Sequence, residues 1–200
     1  MIDRGSRIEN IWHIYHFSRE CYNIATYFVN PLTHEEKEIF RNDNSLSFVQ
    51  HIFFRTALIE LNKLTNDSNN DVYNIHRYLR NFRCSKNKNL PNEQIASWEN
   101  RLEELKDSIN HVYILRNKFY AHSDKDPNTF LDRINSGNNI EIEALYILIG
   151  EIIQKIYELE GGMALTEDFE FRNGDIGILR NYAELYRLRM NDLINNCNKI

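Results

Sequence analysis

Apolar residues recur every three or four positions along most of this chain, and short polar strings break the pattern into segments. Ile8, Ile11, Trp12, Tyr15, Tyr22, Ile24 and Phe28 predict a helix over 7–29, which Pro31 ends by pushing the preceding residue out of the α region. Thr33 and Glu36 stand in T-x-x-E spacing, the pattern of a capping box opening a short acidic helix. A further helix is expected over 45–64. Phe48, Ile52, Phe53, Leu58, Ile59 and Leu61 cover much of its circumference, so a central, well-buried position is predicted. The string TNDSNND ends it, and Asp71 is placed to cap a helix over 72–83. After Pro91 comes the longest pattern. Ile95, Trp98, Leu102, Leu105, Ile109 and Val112 step by three and four and predict one long helix with a single core-facing stripe.

Residues 123–139 are polar and broken by Pro127 and Gly137, with one helical turn expected around Phe130 to Ile134. An apolar helix follows over 140–159, stopped by Gly161 and Gly162, and Asp175 opens a last helix that runs to about Leu193. No alternating run between turn dipeptides predicts a hairpin. The expected fold is all-α, an antiparallel helical bundle of five to six main helices, with 1–200 forming one domain.

Composition adds limits. Only three prolines and seven glycines occur, consistent with helix throughout, and 42% apolar content fits a chain with a real core. A net charge of −5 gives no global attraction to nucleic acid, so any RNA contact must come from a local basic patch. No apolar run reaches the roughly 20 residues of a membrane span, and the first ten residues lack the apolar core of a secretory signal. Cys21, Cys84 and Cys197 are odd in number and far apart, which points to a reduced cytoplasmic protein without a disulfide framework.

Candidate chemistry lies where the long stripe changes character. Beyond Val112 the period asks for apolar residues at 116, 119 and about 122, and the sequence supplies Arg116, Phe119 and His122. Arg116 and His122 each lie three residues from Phe119, about 60° to either side of it on a helix. A charge on the shoulder of a core face needs a partner, a wet cleft or another subunit. A purely structural account pairs Arg116 with Glu60 or Asp67 and lets His122 cap the helix C-terminus.

The segment LRNKFYAHSD resembles the signature of the HEPN superfamily, in which an arginine, four to six residues and a histidine end a core helix of an α-helical bundle. Arg116, Asn117, Lys118, Ala121, His122 and Asp124 follow in order the motif style of its abortive-infection, AbiU-like branch, and ALIELNKLTND (57–67) is similar to the helix that precedes the motif. The resemblance implies a HEPN-like fold and a metal-independent endoribonuclease acting as a homodimer, a toxin of a phage-defence or toxin–antitoxin system. In that role Arg116, Asn117 and His122 would be catalytic, with no metal or other cofactor. RNA is then the substrate, and an antitoxin is among the partners the resemblance allows. Lys118, Tyr120 and Asp124 are candidate RNA contacts in and beside the motif. Some relatives are silenced by modification of a tyrosine two residues after the histidine, and Asp124 stands there in this chain. The rival class is a non-catalytic helical binding or regulatory module in which Arg116 and His122 are structural.

Other features carry less. Arg77, Arg80 and Arg83 form a ridge at i, i+3 and i+6, extended by Lys86 and Lys88, that suits either an RNA backbone or a solvated helix face. His13, His16 and Glu20 share one helix face, but no second helix offers matching ligands, so they read as packing or interface residues. HEEKE at 34–38 lacks the second histidine of a zinc-protease helix.

Overall fold

The computed structural model describes residues 4–29, 33–67, 71–84, 90–121 and 139–159, together with 184–185, 187–191 and 194. These residues form α1 (Arg4–Val29), α2 (His34–Asn42), α3 (Asn44–Thr65), α4 (Ile75–Arg83), α5 (Asn92–Glu104), α6 (Lys106–Ala121) and α7 (Asn139–Leu159). The residues described after 184 are helical as well, and no strand occurs among the described residues. The fold is all-α, as the periodicity predicts. The expected terminators Pro31, Gly161 and Gly162, the turn at 130–134 and the start of the last helix at Asp175 lie outside the described residues.

Local chemistry sets the helix starts. The capping box opens α2: Glu36 N–H donates to Thr33 Oγ1 at 3.2 Å, and Thr33 N–H donates to Glu36 Oε2 at 3.0 Å. The buried Glu36 carboxylate also accepts from Tyr27 Oη at 2.7 Å, which ties α2 to α1. Asp43 alone separates α2 from α3, and its carboxylate accepts from Ser45 N–H at 2.8 Å. The fourth helix starts three residues later than expected, because Asn74 rather than Asp71 caps it. Asn74 is fully buried, accepts from Arg77 N–H at 2.6 Å and donates to the Asp71 carbonyl at 3.1 Å, so both ends of its amide are satisfied there.

The single long helix predicted after Pro91 is two. Leu105, at φ −92° and ψ 13°, separates α5 from α6. The hydrogen bonds from Leu105 N–H to Arg101 O (3.2 Å) and from Ile109 N–H to Leu105 O (2.9 Å) span the break, so the rod bends rather than stops. The two halves have different neighbours: α5 lies against α4 and α7, whereas α6 packs chiefly on α3. An uninterrupted side-chain period carries no trace of that change of partner.

Cross-helix contacts give the directions. Ser18 reaches Ala57 and Tyr22 stacks near Phe54, so α1 and α3 run antiparallel. Tyr15 and Ser18 meet Tyr146, Arg19 bonds Glu143, and so α1 and α7 are antiparallel too. Trp98 donates to Glu151 at 2.9 Å, while Gln94 shares a shallow groove with Gln154 and Glu158, which sets α5 against α7 in the opposite sense. Helices α1 and α5 therefore point one way, α3 and α7 the other. His76 of α4 bonds the Thr65 backbone at the end of α3 and feels the charge of Glu103, two residues before the turn into α6. Helix α6 thus starts beside the end of α3 and runs back along it, antiparallel to it. As predicted, α3 is the hub, touching α1, α2, α4 and α6. Its burial is less complete than its composition suggests: Ala57, Leu58, Leu61 and Leu64 are sealed, but Phe48 and Ile52 are 65% and 40% exposed.

Three helices meet over a chain of buried hydroxyls. Ser18 Oγ donates to the Ala57 carbonyl at 2.9 Å and stands 2.7 Å from Tyr146 Oη. Ser18 spends its one proton on Ala57, so Tyr146 must be the donor between the two hydroxyls, its single proton directed to Ser18 Oγ and shared with the Ser18 carbonyl 3.2 Å away. Complete burial pushes the Tyr146 phenol well above its ordinary pKa and keeps it a donor. Next to it, Tyr15 Oη donates to the Tyr146 carbonyl at 3.1 Å and occupies the space above Gly150.

A methyl group on Gly150 would meet the Tyr15 hydroxyl and come within 3.0 Å of Cζ of that ring. Alanine is favoured over glycine inside a helix by about 1 kcal/mol, yet overpacking costs about 1–3 kcal/mol. Gly150→Ala is therefore expected to lower stability in urea unfolding. The loss should shrink in a Tyr15→Phe background, where the hydroxyl is gone; equal losses in both backgrounds would disprove the contact.

Candidate functional site

Along α6 the buried positions are Ser108, Val112 and Leu115, while Asn110, Tyr113 and Ile114 face solvent. The innermost residue at the anomaly is thus Leu115, one place before the position the sequence period assigns. The bend at Leu105 changes the phase, and Arg116 moves to the flank of the core face with Asn117 beside it. Both are half-buried. Arg116 Nη1 donates to Asn117 Oδ1 at 3.0 Å, a contact between adjacent residues that helps fix the plane of the guanidinium. A guanidinium held at the edge of a core keeps its charge and its fork geometry, and can meet a phosphate or carboxylate without the cost of ordering a flexible chain.

The two carboxylates that a structural account assigns to Arg116 are engaged elsewhere. Glu60 pairs with Lys63 at 2.5 Å, one turn along the same helix. Asp67 takes Arg80 in a two-pronged contact, at 2.7 and 2.6 Å. Lys118 and Tyr120 lie in the last turn of α6, where only the backbone is described; His122 and Asp124 lie outside the described residues.

The arginine ridge of α4 is real as a row but is not an open comb of cations. Arg80 pairs with Asp67 and Arg83 with Glu99, all at the surface, while Arg77 is half-buried. Lys86 and Lys88 lie outside the described residues. The ridge is not brought to the motif. It packs against the end of α3 and against α5, whereas Arg116 lies about 16 Å along α6 beyond the bend, in the direction away from α5.

On α1, His13 and Glu20 are exposed, and the ring of His16 packs edge-on against Trp12 with centroids 4.2 Å apart. Burial lowers the His16 pKa, with Glu20 opposing and His13 adding to the shift. Among the described residues no three His, Cys, Asp or Glu side chains are grouped to hold a metal ion. Sequence reasoning passed over His51 and Arg55 of α3. Their signal was a second stripe on that helix, hidden because the stripe mixes polar with apolar residues.

The Asp67–Arg80 contact makes a pH-dependent contribution. The hydrogen bond from Arg80 holds the Asp67 carboxyl below its ordinary value, against a smaller opposing effect of burial. A depressed folded pKa stabilises above the unfolded value, and the effect is lost as pH falls through the folded one. Both side chains are about half exposed, so solvent screening limits the pair to under about 1 kcal/mol. Asp67→Asn should therefore cost a fraction of a kcal/mol at pH 7 and nothing once the acid limb is passed, as read from thermal melts across pH.

Comparison with known proteins bears on the whole arrangement. No curated protein and no solved structure matches this chain. The sequence model of the family HEPN_AbiU2, described as AbiU2, matches residues 6–163, from the first turns of α1 past the end of α7. That span holds all of α2 to α7, α1 from its third residue, and the whole Arg116–His122 segment. It covers most of the chain, and the all-α fold agrees with the HEPN part of the name. The chain belongs to the AbiU2 family of HEPN proteins.

Proposed function

We propose that this protein is a metal-independent endoribonuclease of a phage-defence or toxin–antitoxin system, acting on RNA in the cytoplasm as a homodimer. The observation that carries the reading is the family match across 6–163 with R-N-K-F-Y-A-H at 116–122 inside it. The orientation of Arg116 by Asn117 at the end of α6 supports it.

The chemistry follows from the residue types. The ribose 2′-oxygen attacks the adjacent phosphorus as its proton leaves to a base. The P–O5′ bond breaks, the 5′-oxygen takes a proton from an acid, and the products carry a 2′,3′-cyclic phosphate and a 5′-hydroxyl. Histidine is suited to move such protons near neutral pH, so His122 is the general acid or base. Arg116 offers a fixed fork to the charge that grows on the phosphorane oxygens, and Asn117 orients that fork. One motif contains one histidine, so a two-fold pair of motifs supplies both acid and base. That requirement makes the dimer part of the mechanism. An antitoxin partner fits the same reading as the restraint on a toxic activity.

Single-stranded RNA incubated with purified protein and EDTA should be cut to cyclic-phosphate ends. Arg116→Ala and His122→Ala, still folded by circular dichroism, should each lose at least about 100-fold in rate. Equal cleavage by the variants would assign the activity to a contaminant and leave the chain a binding module. Light scattering of the active species checks the oligomer, since a cleaving monomer would rule out the shared cleft.

A further inference from the structure

Helix α3 presents two packing stripes. Phe54, Ala57, Leu61 and Leu64 form the one turned to α1, as the contacts of Ala57 with Ser18 and Phe54 with Tyr22 show. Leu58, Asn62 and Thr65, also buried, form a second stripe alongside, and the other helix packed extensively on α3 is α6. Followed toward the start of α3 in the same steps of three and four, this second stripe reaches Arg55 and then His51. They fall about 20° to either side of Asn62 on the helical wheel. Both are half-buried, whereas Phe48, the next step of the same stripe, and Ile52, further round the helix, are exposed.

Direction does the rest. Since α6 runs antiparallel to α3, the end of α6 that carries Arg116 and Asn117 belongs with the first half of α3. The charged residues of the two facing stripes, Arg55 with His51 on one and Arg116 on the other, lie toward the same end of the bundle. His51 and Arg55 lie one turn apart and sense each other electrically: burial, and then the Arg55 charge, hold the His51 pKa below its ordinary value. A neutral imidazole can accept as well as donate a hydrogen bond.

We infer that His51 and Arg55 are RNA-backbone contacts on α3 beside the end of α6 that carries the motif, Arg55 binding a phosphate next to the one at Arg116 and His51 hydrogen-bonding the intervening ribose or phosphate. This deepens the ribonuclease reading and rests on it for the choice of RNA. It also supplies what the net charge of −5 withholds, a local cationic site for a polyanion.

The test uses a fluorescein-labelled 12-nucleotide single-stranded RNA of mixed sequence. Binding is followed by anisotropy in full-length His122→Ala protein across salt, and cleavage of the same RNA in the His122 form. Arg55→Gln is expected to weaken binding about 5- to 20-fold at low salt and to reduce the slope of log affinity against log salt by about 0.7, one phosphate contact on a single strand. Arg55→Lys should keep the slope, and His51→Gln should weaken binding about 3- to 10-fold. A merely structural arginine would change melting temperature and leave the slope alone. If Arg55→Gln does not fold, Arg55→Met, which keeps the aliphatic stem, and His51→Gln decide. Affinity and slope unchanged in folded variants, with wild-type cleavage intact, overturn the inference and spare the ribonuclease reading. Binding that depends on Arg55 in a chain that cuts nothing does the reverse. A wild-type chain that neither binds nor cuts RNA overturns both.

Discussion

The hydroxyl pair Ser18–Tyr146 is the constraint on which the arrangement turns. It lies where α1, α3 and α7 meet, with Ser18 donating to the α3 backbone and Tyr146 returning a proton to Ser18. Buried hydroxyls are tolerated only when bonded, and here each of the two hydroxyl protons has an acceptor. A slip of any one helix by a residue would orphan at least two polar groups, at a cost of about 1–3 kcal/mol each. Apolar packing around Ile11, Leu58 and Ile149 supplies most of the stabilisation, but it is directionless. The hydroxyls set the register.

With that register set, α3 becomes an axis with two unequal ends. Toward its C-terminus it is closed by α4, whose Asn74 cap and Arg80–Asp67 contact seal the turn. Toward its N-terminus α2 closes a small second core of Phe28, Ile39 and Phe40 against Leu46 and Val49, Phe48 and Ile52 emerge beside it, and α6 delivers Arg116 and Asn117 to the flank of the main core. The candidate chemistry sits at this end. The α4 arginines, which looked like a natural phosphate comb in sequence, sit at the other with carboxylates already opposite Arg80 and Arg83. Charge in a sequence is potential for binding; whether it is spent inside the fold depends on what the next helix carries.

The family match changes the weight of the motif without adding geometry. An arginine and a histidine six residues apart occur by chance in many helices. Held within a HEPN family match that runs from 6 to 163, they acquire a chemical context that periodicity alone does not provide. The structure adds a smaller but physical point: Arg116 is oriented by its own neighbour, and Glu60 and Asp67 each have another cation to pair with.

What the chain determines by itself is local. Apolar period, capping pairs such as Thr33–Glu36 and the lack of alternating runs specify helices, because helix formation is decided within a few residues. The place where Arg116 enters is also visible there, since a charge breaks an otherwise regular stripe. Tertiary structure decided the rest. It bent the long rod at Leu105, because α5 and α6 answer to different partners, and so put Leu115 rather than Arg116 innermost. It chose Asn74 over Asp71 as a cap, because only Asn74 is buried where both ends of its amide find partners. It put Arg80 and Arg83 into ion pairs and brought His51 and Arg55 to the end of the bundle that carries Arg116. Apart from the Asn74 cap, whose bonding partners are local, these depend on residues far apart in sequence, and a one-dimensional period holds no record of which helix a face will meet.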